Sequence, residues 1–347
     1  MGKAVRLSDI GSRLGVSTVT VSKALSGQKG VSEELRAKII ALSVEMGYRK
    51  EISKDNGSQT DRHTIGVVIS EKYIGKYDSF YLKMFQTINA VSAEEGNLAV
   101  LATLADSEEA EGMVPKILCE NRPEGLMIVG RLSKEYLKAL HQTIPVPWVF
   151  VDFYDEEEMA DAVISDSYYG AYQLTRYLLK RGHRCIAYVG TLLSTSSITD
   201  RYMGYARAML EYGITPKKEW QIEDRDVKTG RVDEQNLLKL PKELPTAFFC
   251  NCDVVASALI KKLNAEGIRV PQEVSVVGYD NFLYPGLCDI GITTYEVDLR
   301  KMAEQALTVL LQKMKTPGGQ NRLYIVEGHV VEKESVGEFA NTTANRG

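Results

Sequence analysis

Residues 7–25 read LSDIGSRLGVSTVTVSKAL, and this stretch decides the architecture of the first part of the chain. Apolar residues recur at helical spacing up to Leu14, where Gly15 interrupts the pattern. Ser17 can cap a second short helix, since its hydroxyl can accept an unpaired amide of the next turn. Two short helices joined by a tight turn predict a helix-turn-helix.

A third, longer helix is predicted from Ser32 onward. Its first turn is acidic, which suits the positive end of a helix dipole, and Gly47 offers a C-cap. Its apolar stripe consists of Leu35, Ile39, Leu42 and Met46. Residues 1–48 are therefore predicted to form a small all-α helix-turn-helix headpiece.

The outward residues of the second helix suggest what the headpiece does. Thr18 with Ser22, and Val19 with Lys23, are i, i+4 pairs, so they share one surface. Methyl groups, a hydroxyl and a lysine can read base edges in the major groove of DNA. A small helical bundle with a merely solvated polar face remains the alternative on this pattern alone.

The distribution of charge favours DNA. The 347 residues hold 42 Lys plus Arg and 46 Asp plus Glu, a net charge of -4 that would argue mildly against nucleic acid. Residues 1–62, however, hold 11 basic and 7 acidic residues, a net of +4, and the remaining 285 have a net of -8. Basic charge is thus concentrated in the headpiece, as phosphate binding requires.

Residues 49–62, RKEISKDNGSQTDR, are almost wholly polar and predict a linker. After them, apolar runs of strand length alternate with amphipathic helices, which is typical of parallel sheets covered on both faces. The predicted strands are TIGVVI at 64, NLAVLAT at 97, GLMIVG at 125, WVFVD at 148, AVISD at 162, CIAYVG at 185, TAFFCN at 246 and SVVGYD at 275. Two sheets, at about 63–182 and 183–292, suit the length better than one very wide sheet.

Polar residues at the ends of predicted strands are candidates for a ligand cleft, because α/β sheets bind ligands at the carboxyl ends of their strands. Asp166, Asp253 and Asp280 follow strands, and Arg201 opens a helix. One guanidinium with three carboxylates can make the directional hydrogen bonds that sugar hydroxyls need. Each of these residues could instead be a helix cap or a surface charge.

Several other classes of chemistry lack their motifs. The five cysteines are irregularly spaced and are expected to be reduced, and Cys250-x-Cys252 has no second Cys or His pair at zinc spacing. No GxGxxG, GxxxxGK[ST], HExxH or GxSxG occurs, so no catalytic residue, metal or cofactor is predicted. No secretory segment and no run of 18 apolar residues is visible, so we expect a cytoplasmic protein without a membrane partner.

The chain resembles the LacI/GalR family of bacterial transcriptional regulators over nearly its whole length. The resemblance rests on residues 5–48 and, further along the chain, on DRYMGYARAMLEYGI at 200, PTAFFCNCDVVASALIKKLNAEGIRVPQEVSVVGYDN at 245, ITTYEVDLRKMAEQAL at 292 and VVEKESV at 330. It implies a homodimeric repressor with a periplasmic-binding-protein-like α/β core. The implied partners are operator DNA and a small-molecule effector, which is expected to be a carbohydrate. It also implies a divided core, residues 63–182 with about 295–324 and residues 183–292 with about 325–340.

The resemblance also implies roles for individual residues. The expected DNA-binding residues are Ser17, Thr18, Val19, Ser22, Lys23 and Lys29. The expected effector-binding residues are Arg201, Asp280, Asp253, Asp166, Phe80, Ser79 and Tyr279, with Tyr81 and Tyr169 as further candidates. Cys252 stands where the family has Asn, and a thiol is a weak hydrogen-bonding group, so this position should contribute less to the effector site.

The linker departs from the family, whose members usually have a short hinge helix with a Leu that wedges into the minor groove. Gly57 falls about where that Leu is expected, and Asn56-Gly57-Ser58 disfavours a helix. We predict a weaker or more disordered hinge, or Ile52 as a substitute wedge. Two alternatives remain: a family member that senses a non-sugar ligand or a partner protein, and a sugar-modifying α/β enzyme. A periplasmic sugar-binding protein is disfavoured, because no secretory segment is visible and such a protein would not use a headpiece.

Overall fold

The structure is a computed structural model, and the chain divides into two compact units, Met1–Thr60 and Asp61–Gly347. The residues that it describes are 7–25, 30–46, 62–74, 79–155, 160–226, 230–232, 238–283, 286–316 and 318–339. The linker from 49 to 61 lies outside these ranges, so the predictions for Ile52 and Gly57 remain predictions.

The described part of unit Met1–Thr60 consists of three helices, α1 (Leu7–Leu14), α2 (Thr18–Leu25) and α3 (Glu33–Glu45). Their small core is formed by Ile10, Val21, Ala24 and Ile39, all buried. These are residues of the apolar stripes that predict the helices. The sequence pattern therefore anticipates both the helices and the faces by which they pack.

Two local contacts hold α2 in place. The Ser17 hydroxyl accepts the Thr20 amide at 3.1 Å, which is the predicted N-cap. At the other end of α2, Nη1 of Arg36 donates to the carbonyl of Ala24 at 2.9 Å. Helix α1 meets the start of α2 closely at Gly11, where a Cβ would lie 2.7 Å from the carbonyl oxygen of Val16.

Unit Asp61–Gly347 contains two parallel sheets within its described residues. The strands of the first sheet are β1 (Thr64–Ser70), β2 (Leu98–Leu104), β3 (Gly125–Val129), β4 (Trp148–Val151), β5 (Asp161–Ser165) and β11 (Leu323–Val326). Those of the second are β6 (Ile186–Val189), β7 (Gln221–Ile222), β8 (Ala247–Cys250) and β9 (Ser275–Val277). The first sheet has the strand order β11-β5-β4-β3-β1-β2, and the second has the order β7-β6-β8-β9. The predicted two-sheet α/β core is confirmed.

Helices and a short ribbon complete this unit. The helices are α4 (Phe80–Glu94), α5 (Asp106–Glu111), α6 (Lys116–Asn121), α7 (Lys134–Thr143), α8 (Ser167–Lys180), α9 (Ser196–Glu211), α10 (Asp253–Ala265) and α11 (Leu299–Lys315), with 3-10 turns at Glu71–Tyr73 and Lys218–Trp220. The antiparallel ribbon pairs β10 (Thr294–Glu296) with β12 (His329–Val331). One apolar core extends across both sheets, and each sheet has a further core on its other face.

The predicted boundary at 182 differs from the structure, because helix α8 packs with the second half of the core. Its main neighbours are α9 and the ribbon strands β10 and β12. Gly204 of α9 allows this approach, since a Cβ there would lie 2.0 Å from the carbonyl oxygen of Tyr168. The chain therefore leaves the first half at the end of β5.

The boundary predicted near 324 also shifts slightly. Strand β11 continues to Val326 and pairs in parallel with β5, so it belongs wholly to the first sheet. The chain then returns to the second sheet, where the Val276 amide donates to the carbonyl of Ser335 at 2.9 Å. Three crossings thus connect the two halves within the described residues.

Candidate DNA-binding face and ligand cleft

The outer face of helix α2 is the candidate DNA-binding surface. Thr18, Val19, Ser22 and Lys23 are all exposed, and Val21 on the opposite side is buried. Val19 is 61% exposed, although it is apolar. A solvent-facing methyl group beside a threonine, a serine and a lysine offers the contacts that base edges in a major groove accept.

The remaining predicted DNA-binding residues are Ser17 and Lys29. Ser17 is exposed, but its hydroxyl caps the helix through the Thr20 amide and also lies 2.9 Å from the Thr20 hydroxyl. The Ser17 side chain is thus engaged in positioning α2. Lys29 lies outside the described residues.

Arg201 is the centre of the candidate ligand cleft in unit Asp61–Gly347. Its side chain is buried, 6% exposed, and Nη1 donates to the carbonyl of Asn251 at 2.6 Å. The guanidinium lies over the ring of Tyr279, 3.8 Å from its centroid. Its Nε has no hydrogen-bond partner among the described residues. A buried donor without a partner is costly, which makes Arg201 a candidate for binding a ligand.

Two carboxylates face Arg201 from opposite halves of the core. Asp152 follows β4 of the first sheet, and Asp280 follows β9 of the second. Burial opposes a charged guanidinium, but Tyr279 and these two carboxylates raise the pKa of Arg201. Burial in turn raises the pKa of Asp152, against the effects of Arg201 and of a hydrogen bond from Tyr81.

The backbone is unusual at both carboxylates. Asp152 has a φ of 65° and Asp280 a φ of 93°, in the left-handed region that favours glycine. Such conformations cost about 1–3 kcal/mol each and persist where surrounding structure enforces them, often at functional sites. The Tyr81 hydroxyl donates to Oδ2 of Asp152 at 2.9 Å, and the Phe282 amide donates to Oδ1 of Asp280 at 3.1 Å. Both side chains are thereby held in place.

Aromatic rings line the cleft from both halves. Phe80 of α4 contacts Phe282 edge to face, with ring centroids 6.4 Å apart, and also lies edge to face against Tyr81. Tyr73 packs on Tyr81 at 4.8 Å. A cavity of about 350 Å³ lies beside the cleft; Asp280 and Phe282 line it, but Arg201 and Asp152 do not. The cleft thus combines polar groups with apolar ring surface, as small-molecule sites usually do.

Other contacts join the two halves around the cleft. Nη1 of Arg131 donates to the carbonyls of Leu193 and Ser194 at 3.2 and 3.3 Å. Arg231 pairs with Asp106, with 2.5 Å between Nη2 and Oδ2. These contacts hold the two halves close together in this structure.

The structure brings some of the predicted effector residues together and separates others. Arg201, Asp280 and Phe80 lie at the cleft, and Asp253 lies next to Asp280. Tyr279 is fully buried, and its ring supports Arg201. It therefore cannot offer an open face to a ligand.

The remaining predicted effector residues have structural roles or lie elsewhere. The side chains of Ser79 and Asp166 cap α4 and α8 by accepting the amides of Leu82 and Tyr169. For these two residues the structure supports the alternative interpretation as helix caps. Tyr169 is 47% exposed and stacks on Tyr172 of the same helix, so its ring packs along α8.

Sequence reasoning missed Asp152 and a buried network that includes Asn251, whose carbonyl accepts from Arg201. Asp224 accepts two hydrogen bonds from Arg225, at 3.0 and 2.7 Å, and one from Asn251 at 2.8 Å. Although burial opposes the effect, Arg225 lowers the pKa of Asp224. The strand-end rule could have found Asp152 and Asn251, which follow the predicted strands at 148 and 246. Arg225 carries no comparable sequence pattern.

Other predicted features concern metals, cysteines and membranes. All five cysteines are free. Within the described residues, no group of three or more His, Cys, Asp or Glu could hold a metal ion. Among the helices that the structure describes, none combines the length and apolar character needed to cross a bilayer.

Two family descriptions match this chain. Residues 6–51 match "Bacterial regulatory proteins, lacI family", and residues 175–336 match "Periplasmic binding protein-like domain". The first match contains the described headpiece helices, and the second contains Arg201, Asp253 and Asp280.

Similar proteins cover almost the full length. The HTH-type transcriptional repressor PurR of Vibrio atlanticus is 26% identical over 332 residues, which cover 95% of this chain and 98% of the relative. PurR of Vibrio cholerae is 25% identical over 338 residues, covering 97% and 99%.

Two solved structures show the same fold. The lac repressor dimer bound to operator and the anti-inducer ONPF aligns with a TM-score of 0.68 at 23% identity, covering 96% of this chain and 99% of that chain. The complex of the transcriptional regulator CelR with cellobiose aligns with a TM-score of 0.65 at 22% identity, covering 95% and 99%.

Proposed function

This chain belongs to the LacI/GalR family of bacterial regulators, and from that premise we propose that it is a homodimeric, DNA-binding transcriptional repressor controlled by a small molecule. The observation that carries the proposal is the presence, in one chain, of an exposed α2 face and of a cleft centred on the buried Arg201. The proposal includes no catalytic step. It places the protein in the cytoplasm, where bacterial operator DNA is found.

The DNA-binding part of the proposal assigns base contacts to the outer face of α2. Lys23 would reach guanine acceptors, and Thr18 with Val19 would contact a thymine methyl group. Two copies of the headpiece in a dimer would read the two halves of a pseudo-palindromic operator. The net charge of +4 over residues 1–62 supports attraction to phosphates.

The ligand part of the proposal is a carbohydrate or a similar polyhydroxylated molecule. The guanidinium of Arg201 can donate to hydroxyl oxygens, and Asp152 and Asp280 can accept from hydroxyl hydrogens. The rings of Phe80 and Phe282 supply apolar surface for the less polar face of a sugar ring. That the CelR structure contains cellobiose is consistent with this ligand class.

The proposed control is a population shift. Groups that bind the ligand belong to both halves of the core, so a ligand that contacts both favours one angle between them. That angle would set the spacing of the two headpieces in the dimer. The contacts of Arg131 and Arg231 across the cleft would then differ between the DNA-binding and the released state.

The first experiment tests DNA binding. Operators would be selected from a random duplex pool with the full-length protein, and affinity would be measured by fluorescence anisotropy at several salt concentrations. We expect a recovered pseudo-palindrome whose affinity falls steeply with salt. Recovery of no consensus sequence would refute the proposed function.

The second experiment identifies the ligand. A thermal-shift screen with mono- and disaccharides would be run on the wild type and on Arg201→Ala, with Arg207→Ala as a control on the same helix. We expect a sugar that stabilises the wild type and the control but not Arg201→Ala, and that changes operator affinity. Chemical turnover of the sugar by the pure protein would instead support the enzyme alternative.

A further inference from the structure

Two carboxyl groups lie next to each other at the base of the cleft, those of Asp253 and Asp280. Asp253 begins helix α10, and its amide donates to the carbonyl of Tyr279 at 2.9 Å. The Phe282 amide donates to Oδ1 of Asp280 at 3.1 Å and also approaches the carboxyl group of Asp253. One amide therefore lies beside both carboxyl groups, which places them close together.

Asp253 is enclosed on all sides. Its side chain is 1% exposed, and Oδ1 has no hydrogen-bond partner among the described residues. Gly278 makes room for it, since a Cβ at that position would lie 1.9 Å from Oδ1. A carboxylate with one oxygen buried and unpaired is costly, so an ionised Asp253 would be poorly accommodated here.

The charges around the pair do not balance if every carboxyl group is ionised. The positive charges facing it are Arg201 of α9 and Lys333 after β12, and the further negative charge is Asp152 after β4. Asp152, Asp253 and Asp280 would then face two cations, and Glu296 of β10 beside Asp280 and Asp200 beside Arg201 add further negative charge. The nearby pair of Arg225 and Asp224 is already balanced internally.

The other titratable groups that face the pair do not supply the missing positive charge. They are the thiols of Cys250 and Cys252 on and after β8 and the hydroxyl of Tyr279, and the hydroxyl of Thr294 on β10 approaches the Asp253 carboxyl. Burial raises the pKa of the Cys252 thiol to about 12, so this group stays neutral. A neutral thiol cannot compensate a carboxylate.

We propose that Asp253 and Asp280 keep at least one proton between them at neutral pH, which lowers the negative charge of the cleft and makes the core sensitive to pH. Two neighbouring carboxyl groups cannot both ionise without strong repulsion. Asp280 is the partly exposed member and keeps an oxygen available to the cleft, whereas Asp253 retains the proton. This inference rests on the proposed function only in assigning the cleft to a ligand. A cleft with less negative charge suits an uncharged ligand.

The direction of the pH effect follows from the carboxyl groups. Burial raises the pKa of Asp280 to about 7, against an opposing effect of Arg201. Burial, followed by repulsion from Asp280, raises the pKa of Asp253 well above its ordinary value. In the unfolded chain both groups ionise near their ordinary pKa of about 3.9. The folded state therefore binds more protons above pH 4, and stability should fall as pH rises through about 7.

The test is an infrared titration of the full-length protein labelled with 13C-aspartate, in the absence of DNA and ligand. The carbonyl stretch of a protonated carboxyl group reports directly on the proton, and the label separates aspartate from glutamate. We expect a protonated aspartate band in the wild type at pH 6 that loses intensity toward pH 8. Complete ionisation of all aspartates at pH 6 would overturn the proposal.

Two variants assign the band. Asp253→Asn should remove the protonated aspartate band that the wild type keeps at pH 8, because the amide cannot hold the proton and Asp280 is ionised at that pH. Asp166→Asn, which alters a helix cap, should leave the band unchanged. A band that survives Asp253→Asn undiminished would contradict the assignment, and if that variant does not fold the wild-type titration still decides.

The outcome is independent of the repressor function. If the band is absent while operator selection succeeds, the shared proton is wrong and the proposed function stands. If the band is present while no operator is recovered, the proton on the carboxyl pair stands and the proposed function is wrong.

Discussion

The outer face of α2 and the base of the ligand cleft are both polar, but they are polar in different ways. Thr18, Val19, Ser22 and Lys23 are exposed and lie on one helix. Arg201, Asp152 and Asp280 are brought together from separate segments of the chain, in a cleft where desolvation alters the pKa of each. Helical periodicity alone places the residues of the exposed face on one side of α2. The residues of the enclosed cleft depend in addition on how their buried charges are paired.

Removal of the cleft guanidinium should have the largest effect. Arg201→Ala leaves Asp152 and Asp280 without their shared cation, and breaking a buried charge pair costs about 3–5 kcal/mol of stability. The loss should be larger at pH 8 than at pH 6, since protonation can relieve the carboxylates at lower pH. Urea unfolding at both pH values measures it.

The matched control for this prediction is Arg207→Ala, on the same helix α9. Arg207 pairs with Glu211 at 3.0 Å, but its side chain is 52% exposed. We expect a loss below about 1 kcal/mol. Equal losses of unfolding free energy in Arg201→Ala and Arg207→Ala would mean that burial does not make Arg201 the more important of the two for stability.

On the exposed face, Lys23→Ala should weaken operator binding without weakening the fold. A lysine that reads a guanine contributes about 1–3 kcal/mol of specific binding, and its removal should relax base preference at one position of each half-site. Anisotropy with operator and with random duplex measures the effect. An equal loss on random DNA would contradict base readout.

The control for Lys23 is Lys38→Ala, in helix α3. Lys38 pairs with Glu34 at 2.8 Å and is 62% exposed. This variant should change operator affinity less than Lys23→Ala and should leave base preference intact. Unfolding free energies of both variants should stay within about 0.5 kcal/mol of the wild type.

Ser17→Ala should separate capping from DNA contact. Loss of the hydrogen bond to the Thr20 amide should destabilise the headpiece by about 1 kcal/mol. Ser17→Asn, which can also cap a helix, should restore most of that stability. If Ser17→Asn restores the stability but not the operator affinity, the hydroxyl also contacts DNA.

The smallest effect is expected at the rim of the cleft. Asp106 and Arg231 join the two halves, but both side chains are more than half exposed. Asp106→Asn should therefore cost less than about 1 kcal/mol and should matter less at high salt. Urea unfolding at low and high salt measures this. A loss above about 2 kcal/mol, beyond the range of exposed ion pairs, would show that the rim also holds the halves together.

Much of the fold could be predicted because its determinants are local. The cap at Ser17, the apolar stripe of α3 and the alternation of apolar strands with helices all arise within a few turns of chain. The prediction that placed helix α8 in the first half was wrong, because an amphipathic pattern states only that one face is buried. What α8 packs on depends on Gly204, which lies far along the chain from it.

The candidate site could be predicted only in part. Arg201 and Asp280 were found from the resemblance and from strand ends, whereas Asp152 was overlooked although it also follows a strand. Asp166 satisfies the same rule but caps α8. A strand-end rule locates an edge of a sheet, but it does not state which side chains turn toward the cleft.

The sequence by itself determined the headpiece, the exposed face of α2 and the two-sheet core, because helical and strand periodicities are local properties of the chain. Only the tertiary structure decided that Asp152 and Asp280 face Arg201, that Tyr279 supports the guanidinium, and that Asp253 lies enclosed beside Asp280. These relations depend on the order of strands in two sheets and on three crossings between them. Long-range packing sets the desolvation of each charge, and desolvation sets which carboxyl group keeps a proton.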